Sequence, residues 1–189
     1  SATMATISIN ATTGTINYNG GTTSFTNMLA ALGFATTATN NFNGGTVKAR
    51  ANHATFIPVL SQANVRDGGA IIDSAGFNIT IVQPLAHSVI AGDAAVDGGL
   101  TKIGSGILTL SGPPAYTGPT IVKAGRLTTP LPTVSSALVV ADGARFSPVL
   151  TNRPWLVSSA ALTNAAIDFN YVSFNANADP SAAISVGSL

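Results

Sequence analysis

Two short runs within residues 98–127 constrain the fold more than any other part of this chain. In 106–111 and 120–123, apolar and polar residues alternate, and aliphatic side chains fill the apolar places. Such alternation is typical of β-strands, because successive side chains of a strand point to opposite faces. The turn-forming group Gly112-Pro113-Pro114 separates the two runs, and glycines bound them. The stretch therefore predicts two strands joined by a turn.

Glycine-containing turns followed by a strand recur along the chain, and they begin at Gly20, Gly44, Gly68, Gly98, Gly125 and Gly143. The spacing is equal for the first two intervals, widest from Gly68 to Gly98 and narrowest from Gly125 to Gly143. This uneven spacing is typical of solenoid rungs that differ by loop insertions, and stacked rungs bury a common apolar core. The residues expected to point into that core are Ile7, Ile9, Val47, Ile71, Ile79, Ile81, Ile107, Leu108, Leu110, Ile121, Leu127, Leu138, Val140, Ile167 and Phe169.

The pieces within 98–127 also resemble a known repeat. Gly-Gly-Leu-Thr-Lys stands at 98–102, Gly-Ser-Gly-Ile-Leu-Thr-Leu-Ser-Gly at 104–112, Tyr-Thr-Gly at 116–118 and Thr-Ile-Val-Lys-Ala-Gly-Arg-Leu at 120–127. In order and spacing they resemble the autotransporter-associated β-strand repeat. Pro113-Pro114-Ala115 departs from it, since the family usually has a polar, Asn-containing turn there. The resemblance extends more loosely over about 44–146, and it implies the right-handed parallel β-helix of large secreted bacterial surface proteins.

We therefore predict an all-β chain, a right-handed parallel β-helix over 1–189 with short helical or loop insertions. Residues 20–60 are expected to form irregular rungs, because 24–32 combines an N-cap with helix formers and ends at Gly33. Residues 52–60 are read as a loop with one helical turn, interrupted at Pro58. Residues 98–127 are the best-matched repeat, and 147–189 are continuing or terminal rungs.

Composition excludes several classes of protein. Charged residues make up only 8% and hydrophobic residues 46%, which argues against both solvated helices and disorder. The formal net charge is +1 without a basic cluster, so a nucleic-acid partner is not expected. The chain has no cysteine and no apolar run long enough to span a bilayer. It begins Ser1-Ala2-Thr3, which we read as a processed or internal start.

Parallel β-helices also host polysaccharide lyases and hydrolases, which need clustered carboxylates or basic residues. The chain has seven Asp and no Glu. Asp67, Asp93, Asp97, Asp142 and Asp179 adjoin glycine or proline and are read as turn residues. Asp73 and Asp168 occupy strand-like positions far apart in sequence. No catalytic residue is therefore assigned.

Other candidate sites are equally sparse. His53 and His87 are the only histidines, so neither a metal site nor a cofactor is expected. Gly104-Ser105-Gly106 lacks the lysine and helix of a phosphate loop and is read as a turn. Tyr116 and Trp155 could stack on sugars or pack in the core. The sequons at Asn10 and Asn78 are attributed to chance.

We expect a non-catalytic extracellular or cell-surface structural protein, a stalk or fibre segment. Copies of the chain are the expected partners, end-to-end or laterally, with surface glycans as further partners. Residues 3–9 and 183–189 are the predicted joining surfaces, because solenoid ends expose strand edges that can pair. The alternative is a carbohydrate-binding adhesin or a polysaccharide-cleaving β-helix that uses Asp73 or Asp168.

Overall fold

The computed structural model describes residues 1–4, 6–9, 13–30, 37–130, 136–150, 156–168, 170–171 and 185–186. In these ranges the regular structure is entirely β, and every strand pairing is parallel. Successive strands wind around a common axis, so each strand pairs with its counterpart one rung away. The predicted parallel β-solenoid is confirmed. The described ranges hold no helix able to cross a membrane.

The strands follow one another with short connections. The first rungs contain β1 (Ala2–Thr3), β2 (Thr6–Ile9), β3 (Thr13–Tyr18), β4 (Thr22–Phe25), β5 (Asn27–Ala30), β6 (Thr37–Phe42), β7 (Thr46–Ala49), β8 (His53–Ile57) and β9 (Gln62–Val65). The middle rungs contain β10 (Ala70–Asp73), β11 (Ile79–Ile81), β12 (Ala86–His87), β13 (Leu100–Ile103), β14 (Ile107–Leu110), β15 (Thr120–Val122) and β16 (Arg126–Pro130). Then come β17 (Leu138–Val140), β18 (Arg145–Leu150), β19 (Leu156–Val157), β20 (Ala160–Leu162), β21 (Ala166–Ile167), β22 (Asn170–Tyr171) and β23 (Ser185–Val186).

Three sheets enclose the core. The front sheet runs β1-β4-β7-β10-β13-β15-β17-β20, and the side sheet runs β8-β11-β14-β16-β18-β21, with β22 also paired to β18. The short sheet runs β3-β6-β9-β12. In the part of the chain that the structure describes, the short sheet continues beyond β12 as a bridge between Ala86 and Ala115. Two further pairs are β2 with β5 and β19 with β23.

The turns stack in two separate columns, and this corrects the single series of turn intervals read from the sequence. Gly44 lies against Gly68, Gly69 against Gly98, and Gly99 against Pro119, all before the front sheet. Gly125 instead stacks on the turn 104–106, before the side sheet. The interval from Gly98 to Gly125 therefore mixes the two columns. The rung that begins at Leu100 ends where the next rung begins, at Thr120, because these two residues are paired in register on neighbouring strands of the front sheet.

Alternation along each strand decides which side chains reach the core. Of the predicted core residues, Ile9, Val47, Ile79, Ile81, Leu108, Leu110, Leu127, Leu138 and Val140 are buried. Ile7 and Ile167 are partly buried against this core. Ile71, Ile107 and Ile121 were wrongly placed, because their neighbours Ile72, Leu108 and Val122 occupy the inward positions. Phe169 lies outside the described residues.

The two predicted helical insertions are wrong where the structure describes them. Residues 24–30 complete β4 and form β5, and 53–57 form β8, while 31–32 lie outside the described residues. Phe25 and Met28 are both buried, so their spacing in the sequence reflects a corner between two strands and not a helical face. Phe25 also stacks on Phe56, with ring centroids 4.6 Å apart. Packing across rungs therefore overrides local helix propensity.

Candidate functional site

A polar cluster lies at the corner where the short sheet ends and the front sheet begins. We call it the corner cluster and define it as Arg66, His87, Ser88, Asp93, Asp97 and Thr117. It includes residues of the loop 88–99, which follows β12 and leads into β13, and residues that contact this loop. The rung that contains this loop starts at Ala70 and returns at Leu100, and it is the longest described rung of the front sheet.

Asp97 is the centre of the corner cluster, and its side chain is fully buried. Its carboxylate accepts hydrogen bonds from the backbone N–H groups of Gly99 (2.8 Å), Thr117 (2.8 Å) and Gly118 (2.9 Å). The Thr117 hydroxyl donates a further bond at 3.0 Å. Burial alone would raise the pKa of Asp97, but bonds from Thr117, His87, Gly118 and Gly99 hold that pKa below its usual value. Asp97 thus ties successive rungs together.

His87 completes this arrangement, and its geometry limits the chemistry available. Its Nδ1 lies 2.9 Å from the Asp97 carboxylate and 3.2 Å from the Thr117 hydroxyl. In a hydroxyl–imidazole–carboxylate relay, the carboxylate and the nucleophile contact opposite ring nitrogens. Here both contact the same nitrogen, and Thr117 donates its proton directly to Asp97. The arrangement is that of a structural hydrogen-bond network and not of an activated nucleophile.

The other half of the corner cluster anchors the loop. Arg66 donates two bonds to Asp93, from Nε at 2.9 Å and from Nη2 at 2.7 Å. The Ser88 hydroxyl donates to the same carboxylate at 2.5 Å. These bonds from Arg66 and Ser88 lower the pKa of Asp93 to about 2. The loop is therefore held from its base, and it leaves Val89 86% and Val96 62% exposed.

A second buried ionic group lies inside the solenoid. Lys102 is fully buried, and its ammonium donates to the carbonyl oxygens of Ile103 (2.9 Å), Gly104 (2.6 Å) and Ala124 (3.0 Å). Burial lowers the pKa of Lys102 to about 8, while the charge of Asp73 opposes that change. The carbonyls belong to turns of adjacent rungs. Lys102 therefore fastens one turn to the next.

The structure does not bring Asp73 and Asp168 together. Asp73 ends β10 in the front sheet and pairs with Lys48 at 3.0 Å. Asp168 follows β21 on the side sheet and accepts two bonds of 2.8 Å from Arg145. The two carboxylates thus belong to different sheets and to different ion pairs. Asp67 and Asp142 lie in turns as predicted, whereas Asp179 lies outside the described residues.

The remaining candidates have local roles. His53 Nδ1 accepts the backbone N–H of Thr55 at 3.1 Å, and the described residues contain no group of three potential metal ligands. Tyr116 is 1% exposed and bonds Thr120, so it packs in the core and cannot stack on a sugar. Asn78 is exposed, and its side-chain oxygen accepts the N–H of Ile107. Trp155 and the sequon at 10–12 lie outside the described residues.

Sequence reasoning missed Asp97 and Lys102. Asp97 was read as an ordinary turn residue, although Thr117 and Gly118 of the matched repeat are what satisfy its carboxylate. Lys102 follows Leu100 at the alternate-residue spacing of a strand, which already places it on the inward face. That spacing was the available signal in the sequence.

Comparison with known protein families gives a match in the middle rungs. Residues 100–128 match the family described as Passenger-associated-transport-repeat. No curated protein and no solved structure matches the chain. The matched residues coincide with the repeat predicted over 98–127, and they span β13 to the middle of β16. The resemblance inferred from the sequence is confirmed.

Proposed function

We propose that this chain, a passenger-type β-helix repeat protein, is a non-catalytic structural segment of an extracellular or cell-surface protein. It acts as a stalk or fibre element. Parallel β-solenoids join their rungs by continuous backbone hydrogen bonding, which makes an extended rod whose stability is shared among neighbouring rungs. Such a rod can hold other parts of a surface protein away from the cell.

One observation carries this proposal: the buried ionic groups of the middle rungs serve the stacking of those rungs. Asp97 bonds the turns before β13 and β15, and Lys102 bonds turns of adjacent rungs. Asp73 and Asp168 are engaged by cations of neighbouring strands. These are the residue types on which glycan cleavage would depend. Their use in rung stacking favours a mechanical role.

Self-association end-to-end is the second part of the proposal. Residues 3–9 and 183–189 are the joining surfaces, of which 5, 183–184 and 187–189 lie outside the described residues. Strands β1 and β2 carry no charged residue and no proline. Charges and prolines are the usual means of blocking pairing at a strand edge, so their absence supports pairing with another copy.

Electron microscopy of the purified chain tests this contact. We expect filaments with an axial repeat near the rod length, and we expect deletion of 183–189 to abolish them. A chain with Val59→Lys, a change at an exposed position away from both joining surfaces, is the matched control and should still polymerise. Isolated short rods, or filaments that survive the deletion, would contradict end-to-end assembly.

Glycan binding is the second candidate, and one feature favours it. The outward hydroxyls of Thr80, Thr109 and Thr128 stand in register on successive strands of the side sheet. Such a ladder offers hydrogen-bond donors and acceptors at a regular interval. Binding of a glycan panel that is lost in Thr109→Val but kept in Thr101→Val, on the front sheet, would support an adhesin. Depolymerisation lost in Asp73→Asn or Asp168→Asn would instead support an enzyme.

A further inference from the structure

The central column of the outer surface of the front sheet carries no charged residue. The residues at its centre stand in register on successive strands, and they are Thr22, Thr46, Ile71, Thr101, Ile121, Val139 and Ala161. None carries a charge, and most are β-branched. Val139 is 36% exposed. The column is an uncharged strip that is apolar from Ile121 through Val139 to Ala161.

The two edges of this sheet carry opposite charge. At the edge facing the short sheet, Arg66 is paired with Asp93 and Asp97 is buried beside His87, so the exposed charge among the described residues of this edge is that of Asp67. At the edge facing the side sheet, Lys48 is paired with Asp73 and Lys102 is buried, while Arg50, Lys123 and Asp142 are exposed, so the described residues of this edge are net basic.

The exposed members of the two edges are the ones available to a partner. Arg50, Lys123 and Asp142 are exposed on the basic edge, which leaves it one net positive charge, and Asp67 is exposed on the acidic edge. Arg50 and Asp67 belong to the same rung, since they follow β7 and β9 respectively. They therefore lie at similar heights along the rod, on opposite sides of the central column.

From this pattern we infer that the front sheet binds the front sheet of a second copy of this chain, with the two rods parallel. A two-fold axis along the rods, between the two sheets, places the acidic edge of each copy against the basic edge of the other. Heights along the rod are preserved by this axis, so Asp67 of one copy meets the Arg50 region of the other. The central columns face each other, with Ile121 opposite Ile121 and Val139 opposite Val139. Such an interface is isologous and closed.

The size of the sheet is sufficient for this role. Eight described strands stand in the front sheet. At about 4.8 Å between strands the sheet is about 34 Å long, and with both edges about 20 Å wide, which gives roughly 700 Å² per copy. Stable protein interfaces bury about 800 Å² on each partner. The front sheet with its two edges thus approaches the area that a dimer needs.

This lateral contact goes beyond the end-to-end contact proposed above and does not require it. The two contacts use different surfaces, since one lies along the rod and the other at its ends. A dimer that persists after deletion of 183–189 would retain the lateral contact while filaments are lost. Failure of either proposal is therefore recognised separately.

Thiol cross-linking tests the interface directly, because the chain has no cysteine. Facing sheets lie about 10 Å apart, which is too far for a disulfide, so a short bis-maleimide is the appropriate reagent. We expect Ile121→Cys to form a cross-linked dimer rapidly in dilute solution. Thr109→Cys, on the outward face of the side sheet, is the matched control and should react at least tenfold more slowly. Equal rates for the two variants would overturn the proposal.

Orientation is tested by mixing two single-cysteine chains. In parallel rods Thr46→Cys cross-links to Thr46→Cys, and Val139→Cys to Val139→Cys, whereas antiparallel rods give the mixed product. Sedimentation equilibrium of the chain with 183–189 deleted, which is not expected to form filaments, should give the mass of a dimer. In that chain Ile121→Lys should give the monomer while Thr109→Lys remains dimeric. A monomer without the Ile121→Lys change, or a predominantly mixed cross-link, would show that the inferred pairing is wrong.

Discussion

The ammonium of Lys102 lies 3.0 Å from the carbonyl oxygen of Ala124, in the turn of the following rung. On the front sheet Lys102 stands in register between Ile72 and Val122, and all three are fully buried. A charged group thus occupies a place in an aliphatic column. It is accommodated because each of its three donors meets a carbonyl oxygen of a turn.

Substitution of Lys102 by Met should destabilise the solenoid. Met keeps much of the apolar stem but leaves the part-buried carbonyls of Gly104 and Ala124 without this donor, while Ile103 keeps its bond from the Ser74 N–H; a buried group that loses its partner costs about 1–3 kcal/mol. Relief of the buried charge offsets part of that cost. We expect a net loss of about 1–2 kcal/mol in the free energy of unfolding at pH 7, measured by urea denaturation.

Lys123→Met is the control for this substitution, because Lys123 is exposed on the same edge of the front sheet. It should change the free energy of unfolding by less than about 0.5 kcal/mol. Equal effects of the two substitutions would mean that the carbonyl contacts of Lys102 contribute nothing to stability.

The pH dependence of stability gives a second test of Lys102. Its pKa falls from 10.5 in the unfolded chain to about 8 in the folded chain. Between these values the unfolded chain binds more protons, so stability should rise from pH 8 toward 10, by an amount on the order of 3 kcal/mol over the full window. Burial raises the pKa of Tyr18 and Tyr116 above 10, so stability should fall again at higher pH.

Comparison with Lys102→Met isolates this effect. The rise between pH 8 and 10 should be present in the unmodified chain and absent from the variant, when both are measured by urea denaturation at fixed ionic strength. A rise of equal size in the two proteins would assign it to another group.

How far the sequence predicted the fold depends on which pattern carried the information. Strands and solenoid rungs followed from strand-length alternation and recurring glycine turns, whereas the parallel β-helix was implied by the resemblance of 98–127 to a known repeat. The error at Gly125 arose because turns of two columns have similar sequences, and only stacking on 104–106 identifies the column. Similarly, Phe25 and Met28 have helical spacing, and only the corner between β4 and β5 explains their burial.

The corner cluster was less predictable than the fold. Asp97 and Thr117 are distant in the sequence, and they meet because one rung returns the chain to the same corner. Arg66 meets Asp93 across a similar separation for the same reason. Rung lengths vary with each insertion, so these partners could be identified only after the register was known.

Asp97→Asn should be strongly destabilising. Both carboxylate oxygens of Asp97 accept hydrogen bonds, but in Asn one of them is replaced by an NH2 group, which cannot accept. At least one backbone N–H among those of Gly99, Thr117 and Gly118 therefore loses its buried acceptor. We expect a loss of about 2–4 kcal/mol in the free energy of unfolding, measured by chemical denaturation. Asp142→Asn, at an exposed turn position, should cost less than about 0.5 kcal/mol.

Protonation of the Asp97 carboxylate should also contribute to the loss of folding stability at low pH. The folded pKa of Asp97 lies below its unfolded value of 3.8, so its contribution is complete above that value and is lost as the pH falls through the folded pKa. Asp97→Asn should therefore flatten the loss of stability below pH 4. An unchanged acid limb, followed by circular dichroism, would show that the hydrogen bonds to Asp97 do not favour its charged form.

Gly125 and Gly143 lie in turns that precede strands of the side sheet, and a comparison of the two separates the cost of backbone strain from that of rung stacking. Gly125 and Gly143 have nearly the same φ, +67° and +70°. A Cβ at Gly125 would overlap the carbonyl oxygens of Gly104 and Gly106 in the rung below, whereas a Cβ at Gly143 has nothing within 4 Å. Gly143→Ala should cost only the left-handed backbone strain of about 1–2 kcal/mol. Gly125→Ala should cost at least about 2 kcal/mol more in the free energy of unfolding, because the stacked turns must also separate. Equal costs in urea denaturation would mean that the close contact of these turns is not what requires glycine.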